Sequence, residues 1–476
     1  MTSKMDNLDD QSAETQANNS KLTKKIGKSA KNINLSKTSI TMDMPDPRGL
    51  KLQTNLASVQ TKLSVPGDKS ISHRSIILGS IAEGQTRVSG FLRAEDCLAT
   101  ITVMRQLGVN IQDHPESDEI IIEGHGWSGL KASSENLDCG NSGTTMRLLS
   151  GLLAGQAFSS ELVGDASLNQ RPMGRVMTPL NEMGADLSGY LDTEMPPLVI
   201  KPVEKLQAIT YEMPVASAQV KSAIMLAALQ AEGETRIIEK VPSRNHTEEM
   251  LSLFGVELSV QQKTIRIKGG QKLTGQSVEV PGDISSAAYF LALGLLLPDT
   301  EIMIENVGLN ETRSGMLDVI QAMGGDLTIE PRPNGISADL TVRTSKLNNT
   351  VVEGSVIPRL IDELPVIALL ATQAQGVTVI RDAEELKVKE TDRIQAVASQ
   401  LNAMGAEVVA TEDGWLIRGQ TDLQAANVKS FGDHRIGMML QIAALLVEEG
   451  EVYLEDASCV NISYPSFFDT INHLRR

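Results

Sequence analysis

The side chains best able to do chemistry are cations, carboxylates and small donors gathered in short polar turns. Lys69, Ser70 and Arg74 stand in PGDKSISHR, Asn141 and Gly143 in GNSGTTMR, and Arg171 in NQRPMGR. Ser217, Ala218, Gln219 and Lys221 stand in ASAQVKS, and Arg244 in SRNHTE. Asp362 lies in RLIDELP, Lys389, Glu390 and Arg393 in KVKETDR, and Arg435 in FGDHR. Arginine meets carboxylate and phosphate through two parallel hydrogen bonds, and lysine meets them as a point charge. Carboxylates set among such cations, here Asp362 and Glu390, can transfer protons. Any one of these residues also fits a helix cap or a surface ion pair. Their recurrence at one structural position favours a shared anion pocket with acid–base groups inside it.

Other motifs carry less. GDKS lacks the G-x-x-x-x-G-K-[ST] spacing of a phosphate-binding loop, so a kinase is not expected. His73, His246 and His434 are scattered without ligand spacing, so neither a metal nor another cofactor is expected. His434 reads as an orienting or capping residue. Cys139 reads as a small buried residue rather than a nucleophile. Cys97, Cys139 and Cys459 form an odd, widely spaced set, which points to a reducing compartment, the cytoplasm.

The elements that must position these turns repeat. A short strand, a polar loop, an apolar helix, a turn and another strand recur from residues 63, 137, 211, 279, 352 and 429, a period near 73 residues. One set of polar loops opens the apolar helices, whose free N–H groups and partial positive charge attract anions, and a second set, with Arg171, Arg244, Lys389, Glu390 and Arg393, lies before the amphipathic helices. Runs such as FLALGLLL predict helices buried on every side. In five of the six units an amphipathic helix follows, closed by glycine at the position where φ > 0 is needed. VPGD occurs at 65–68 and at 280–283, marking two halves with a crossover near 278–282. The expected fold is α/β. Its domains are 66–278 and the combination of 48–65 with 279–476, each made of three βαβαββ-like units.

Composition narrows the function. The 476 residues are 41% hydrophobic and only 3% aromatic, so aliphatic side chains must fill the core. A formal charge of −17 argues against a nucleic-acid partner and poses a puzzle for an anion-binding protein. No apolar run reaches membrane-spanning length, so no membrane partner is expected either. Residues 1–47 are polar, hold acids and lack arginine, and are expected to form a disordered leader.

From residue 50 onward, PGDKSISHR, GNSGTTMR, GDASLNQRPM, ASAQVKSA, IDELP, KVKETDR and DHRIGM together resemble the 5-enolpyruvylshikimate-3-phosphate synthases. The form ASAQ with SRNHTE is similar to the class II bacterial subgroup. The resemblance implies an inverted α/β barrel in each of two domains and a site in the cleft between them. It implies enolpyruvyl transfer from phosphoenolpyruvate to the 5-hydroxyl of 3-phosphoshikimate through a tetrahedral intermediate, by a monomer. It also implies that Lys69, Ser70, Arg74, Ser217, Ala218, Gln219, Arg244, Asp362 and Lys389 bind 3-phosphoshikimate. Lys69, Asn141, Gly143, Gln219, Arg171, Arg393 and Arg435 would bind phosphoenolpyruvate. Asp362 would accept the hydroxyl proton with Lys389 assisting, and Glu390 would protonate the methylene carbon.

Two departures bear on this. Many members carry a lysine in the last loop, where this chain reads NISYP with Ser463, so one phosphoenolpyruvate contact is expected to be missing or replaced. Glyphosate-tolerant members of the subgroup can carry alanine where this chain has Gly143. The glycine leaves more room there and is expected not to confer tolerance. A sister enzyme acting on UDP-N-acetylglucosamine uses a cysteine in the loop that here reads GDASLNQRP, which has none. Loss of Lys69, Asp362 or Glu390 would have favoured a non-catalytic anion binder, and all three are present.

Overall fold

The computed structural model describes residues 48–474, so the expected leader at 1–47 lies outside the described residues. The fold is mixed α/β. Its apolar side chains gather in two separate cores. One runs from Ile76 to Val280, and the other joins Leu52–Val65 to Ile284–Ile471.

Six inner helices supply much of both cores: Lys69–Ile81, Gly143–Leu153, Ala218–Ala228, Ile284–Leu296, Leu364–Gln373 and His434–Leu445. Their polar starts are explained by capping. Asp68, Ser142, Ser217, Asp283 and Asp433 each accept a first-turn backbone N–H through the side chain. Leu364–Gln373 instead begins with a proline in its first turn. In Ile284–Leu296 every residue from Ile284 to Leu295 is buried, as the apolar run that follows Ser285 and Ser286 requires. Five outer helices, Glu95–Gln106, Gly174–Glu182, His246–Leu253, Gly315–Ala322 and Arg393–Ala403, show one buried face each. Glycines 108, 184, 255, 324 and 405 follow them in the left-handed region.

One sheet pattern recurs. Leu137–Asp138 runs parallel to Ser160–Val163, which pairs antiparallel with Leu198–Lys201, which in turn pairs with Asp186–Ser188. Thr210–Met213 and Val351–Val352 begin sheets of the same order. The first and fourth occurrences exchange their opening strands. Gln60–Ser64 lies parallel to Glu301–Gly308, and Ser277–Glu279 lies parallel to Ala82–Ser89. The two chain crossings touch symmetrically. The Asp68 N–H donates to the Pro281 carbonyl at 2.8 Å, and the Asp283 N–H donates to the Pro66 carbonyl at 2.8 Å. This is the structural use of the repeated VPGD. Among the described residues, no helix is long and apolar enough to cross a membrane.

Candidate active site

The polar turns converge where the two cores face each other. Asp362 comes from the turn before Leu364–Gln373. It meets Arg244 Nη2 at 2.5 Å, Arg393 Nη1 at 3.2 Å and Arg435 Nη2 at 3.8 Å. Glu390 accepts from Arg393 Nη2 at 2.6 Å and lies 3.8 Å from Arg171 Nη1. Arg171 also donates to Asn141 Oδ1 at 2.6 Å and to Ser167 Oγ at 3.1 Å. Arg393 is 1% exposed and is anchored by Asp433, whose Oδ2 accepts from Nε at 2.7 Å. Asp433 therefore both caps an inner helix and aims the guanidinium.

The remaining expected residues take varied positions. Lys69 opens its helix and pairs with Asp96. Gln219 accepts from Arg147 Nη1 at 2.7 Å and donates to Thr144 Oγ1 at 2.8 Å. Gly143 begins the helix beside them. Ser217 caps the helix that Ala218 begins. Arg74 is buried and spends Nε on Thr247, Nη1 on the Ser70 carbonyl and Nη2 on Ser222. It sits as a brace between helices, and only its second Nη protons are left for a ligand. Ser463, in the loop expected to lack a lysine, is 8% exposed.

Charge is compensated within the cluster, so the −17 total is a poor guide to it. Burial works against an ionised Asp362, yet Arg244, Arg435, Lys389 and Arg393 hold its carboxyl well below the usual range. Burial also opposes the Glu390 charge, and Arg393, with Arg171 and Lys69, overcomes it. Lys389 moves down, chiefly because it is buried. Lys69 moves up, because Asp96 outweighs its burial. Burial, then Lys69 and Arg435, drive His434 well below 6.5, and neither of its ring nitrogens has a partner. Such a ring is neutral at pH 7. Burial pushes the Cys139 thiol up, which fits a buried small residue and not a nucleophile.

Several supporting residues escaped the reading of the sequence. Arg313 is 2% exposed and lies 3.4 Å from Asp68, 3.0 Å from Asp283 and 3.7 Å from Glu363. Its turn, NETRSG, comes just before the outer helix Gly315–Ala322, as SRNHTE and KVKETDR come before theirs, and that position could have marked it. Lys221, by contrast, was named with the polar turns, and the structure buries it between Glu239 at 3.2 Å and Glu248 at 2.6 Å instead of leaving it for an anion. Glu239 also holds the Ser243 N–H at 2.9 Å, fixing the loop that presents Arg244. Arg147 stands four residues after Gly143, a helical spacing that could have marked it as a neighbour of the same turn.

Residues 54–471 match the family model of EPSP synthase (3-phosphoshikimate 1-carboxyvinyltransferase). A 3-phosphoshikimate 1-carboxyvinyltransferase of Enterococcus faecalis is 57% identical over 427 residues, covering 89% of this chain and 100% of the relative. One from Streptococcus thermophilus is 57% identical over 426 residues, covering 89% and 99%. Among solved structures, the EPSP synthase of Acinetobacter baumannii is 42% identical with a TM-score of 0.80, covering 89% of this chain and 97% of that one. The enolpyruvyl transferase NikO of Streptomyces tendae, at 15% identity and a TM-score of 0.70 over 90% and 98%, shares the fold.

Proposed function

The chain belongs to the EPSP synthase family, and from that premise we propose how its residues divide the work. It transfers the enolpyruvyl group of phosphoenolpyruvate to the 5-hydroxyl of 3-phosphoshikimate, a step of the shikimate pathway toward aromatic amino acids. In our reading, Lys69, Ser70, Arg74, Ser217, Ala218, Gln219 and Arg244 take 3-phosphoshikimate. Lys69, Asn141, Gly143, Gln219, Arg171, Arg393 and Arg435 take phosphoenolpyruvate. The observation that carries this is the meeting of Asp362 and Glu390 with Arg171, Arg244, Arg393 and Arg435 in one cluster.

The acid–base roles follow from charge. An ionised Asp362 can accept the 5-hydroxyl proton, with Lys389 close enough to act on the same group. Glu390 as it stands is also ionised, which suits a base better than a donor. Phosphate and carboxylate groups drawn onto Arg171, Arg393 and Lys69 would offset the cations that keep its pKa low. Its proton affinity then rises when both substrates are bound, and the carboxyl becomes able to protonate the methylene carbon. The same exchange draws Arg244 toward the 3-phosphate and makes Asp362 a stronger base.

We read residues 66–278, and 48–65 with 279–476, as two inverted α/β barrels of three βαβαββ-like units each, with the site in the cleft between them. The separate cores and the recurring sheet order support that division. We also read the chain as a cytoplasmic monomer without nucleic-acid or membrane partners, a reading its acidic total favours.

A coupled phosphate-release assay tests the function. Phosphate should appear only with 3-phosphoshikimate and phosphoenolpyruvate together. Release with UDP-N-acetylglucosamine in place of 3-phosphoshikimate would overturn the assignment.

A further inference from the structure

We infer that Arg147 is a positioning residue that orients the Gln219 amide, and that the Arg147 guanidinium fills the space a side chain on Gly143 would need. The inference rests on the reading of Gln219 as a group lying between both substrates.

Gly143 and Arg147 are one turn apart on the helix Gly143–Leu153, so they share a face. Long side chains on a helix lean back toward its N-terminus. The Arg147 guanidinium follows that rule and folds over the start of its own helix. A methyl group built on Gly143 would come within 2.9 Å of Arg147 Nη1 and 3.7 Å of Cζ. Arg171 Nη1, which belongs to the anion cluster, would be 3.6 Å away. The first obstacle to a side chain at 143 is therefore Arg147.

The same guanidinium holds Gln219, which lies on the neighbouring inner helix Ala218–Ala228. Arg147 Nη1 donates to Gln219 Oε1 at 2.7 Å, and Gln219 Nε2 donates to Thr144 Oγ1 at 2.8 Å. The amide is thereby fixed, with its oxygen toward the cation and its nitrogen toward the hydroxyl. The flipped amide would set donor against donor. One lone pair and one N–H remain for ligands. Burial and the nearby Arg171 lower the Arg147 guanidinium to about 10, which marks how closely the two cations are placed. A side chain at 143 would push Arg147, and the push would reach Gln219.

Steady-state kinetics on a double-mutant cycle tests this. Removing a hydrogen bond to a charged group costs about 1.5–3 kcal/mol, so Arg147→Met should raise the KM for phosphoenolpyruvate roughly tenfold or more. Its kcat should stay within about threefold of the parent, the split expected of a group that orients a ligand contact. Arg147→Lys should restore most of the affinity. Gly143→Ala should resemble Arg147→Met, and in the Arg147→Met background it should add no more than about twofold. Multiplying effects would show that the methyl group acts on the ligand directly and would overturn the inference, as would an unchanged KM in Arg147→Met. Should Arg147→Met fail to fold, Gly143→Ala in a Gln219→Leu background runs the same cycle. Additivity there sinks the idea as well. A parent chain that releases no phosphate would instead overturn the functional reading itself.

Discussion

Arg244 and Asp362 belong to opposite cores, and their side chains meet through Nη2 and Oδ2. In the roles proposed above, the carboxylate that would accept the proton is thus held by the cation that would meet the 3-phosphate. Three more ion pairs join the same halves, Arg171–Glu390 at 3.8 Å, Arg175–Glu385 at 2.7 Å and Arg313–Asp68 at 3.4 Å. Cations brought together in one place would repel each other, and here carboxylates from the facing half offset that repulsion. In that proposal the anionic substrates would compete with these internal carboxylates, coupling binding to the freeing of the acid–base groups.

Asp362→Asn removes the acceptor and keeps the shape. Turnover should fall by about 10²–10⁴-fold, the usual worth of a placed acid or base, while both KM values change much less. A fall confined to KM would assign Asp362 to binding alone. Because Arg244 and its neighbours keep this carboxyl well below 3.8, protonation of Asp362 should not reduce kcat/KM between pH 7 and 5.

The sequence was readable where local rules act. Glycines 108, 184, 255, 324 and 405 were placed at helix ends because only a residue without a side chain enters the left-handed region at low cost. Asp362, Glu390 and the arginines were found because the same turn recurs. The exchange of Gln60–Ser64 with Ser277–Glu279 is a matter of long-range pairing, which strand periodicity does not encode. The role of Arg313, though not its place before an outer helix, is likewise long-range. Its partners Asp68, Asp283 and Glu363 are 245, 30 and 50 residues away along the chain and meet only in three dimensions.

His73, His246 and His434 are buried, and each ring is held well below 6.5. Burial is the main cause in all three. Lys69 and Arg74 add to it at His73, Arg313, Arg74 and Arg244 at His246, and Lys69, Arg435 and Arg393 at His434, against Glu390. A depressed folded-state pKa means the unfolded chain takes up protons first. The stability these neutral rings contribute is therefore complete above 6.5 and lost as pH falls below it. Each ring can remove at most about 1.4 kcal/mol per pH unit, so stability in urea unfolding should fall from pH 6.5 to pH 5. Asp362 and Glu390 lose their contribution only below the ordinary carboxylate range. A flat profile between pH 6.5 and 5 would show that the rings are not buried in neutral form.

Arg313 is the counter-charge for three buried carboxylates at the chain crossings. Burial opposes its charge, and Asp283, Asp68 and Glu363 raise its pKa regardless. Arg313→Met leaves those carboxylates without their counter-charge and should cost about 3–5 kcal/mol in urea unfolding. Arg313→Lys keeps the charge and should cost less. A loss near zero for the methionine variant would mean the carboxylates find other donors.

Gly67 and Gly282 bridge one another where the two crossings pass, yet their surroundings differ. A methyl group on Gly67 would come within 1.8 Å of the Gly90 carbonyl oxygen, which is backbone and cannot move alone. On Gly282 the nearest atom is Val65 Cγ2 at 2.9 Å, a side-chain methyl with room to turn, followed by the Asn306 carbonyl oxygen at 3.2 Å. Overpacking costs about 1–3 kcal/mol and more where backbone must shift, so Gly67→Ala should exceed that range and Gly282→Ala fall within it. Because Lys69 begins its helix two residues after Gly67, Gly67→Ala should also raise the KM for both substrates, and Gly282→Ala should leave them nearer the parent values. Urea unfolding and steady-state kinetics on the two variants check this together. A Gly282→Ala variant less stable than Gly67→Ala would contradict the close approach of Gly67 to Gly90 on which the exchange of strands depends.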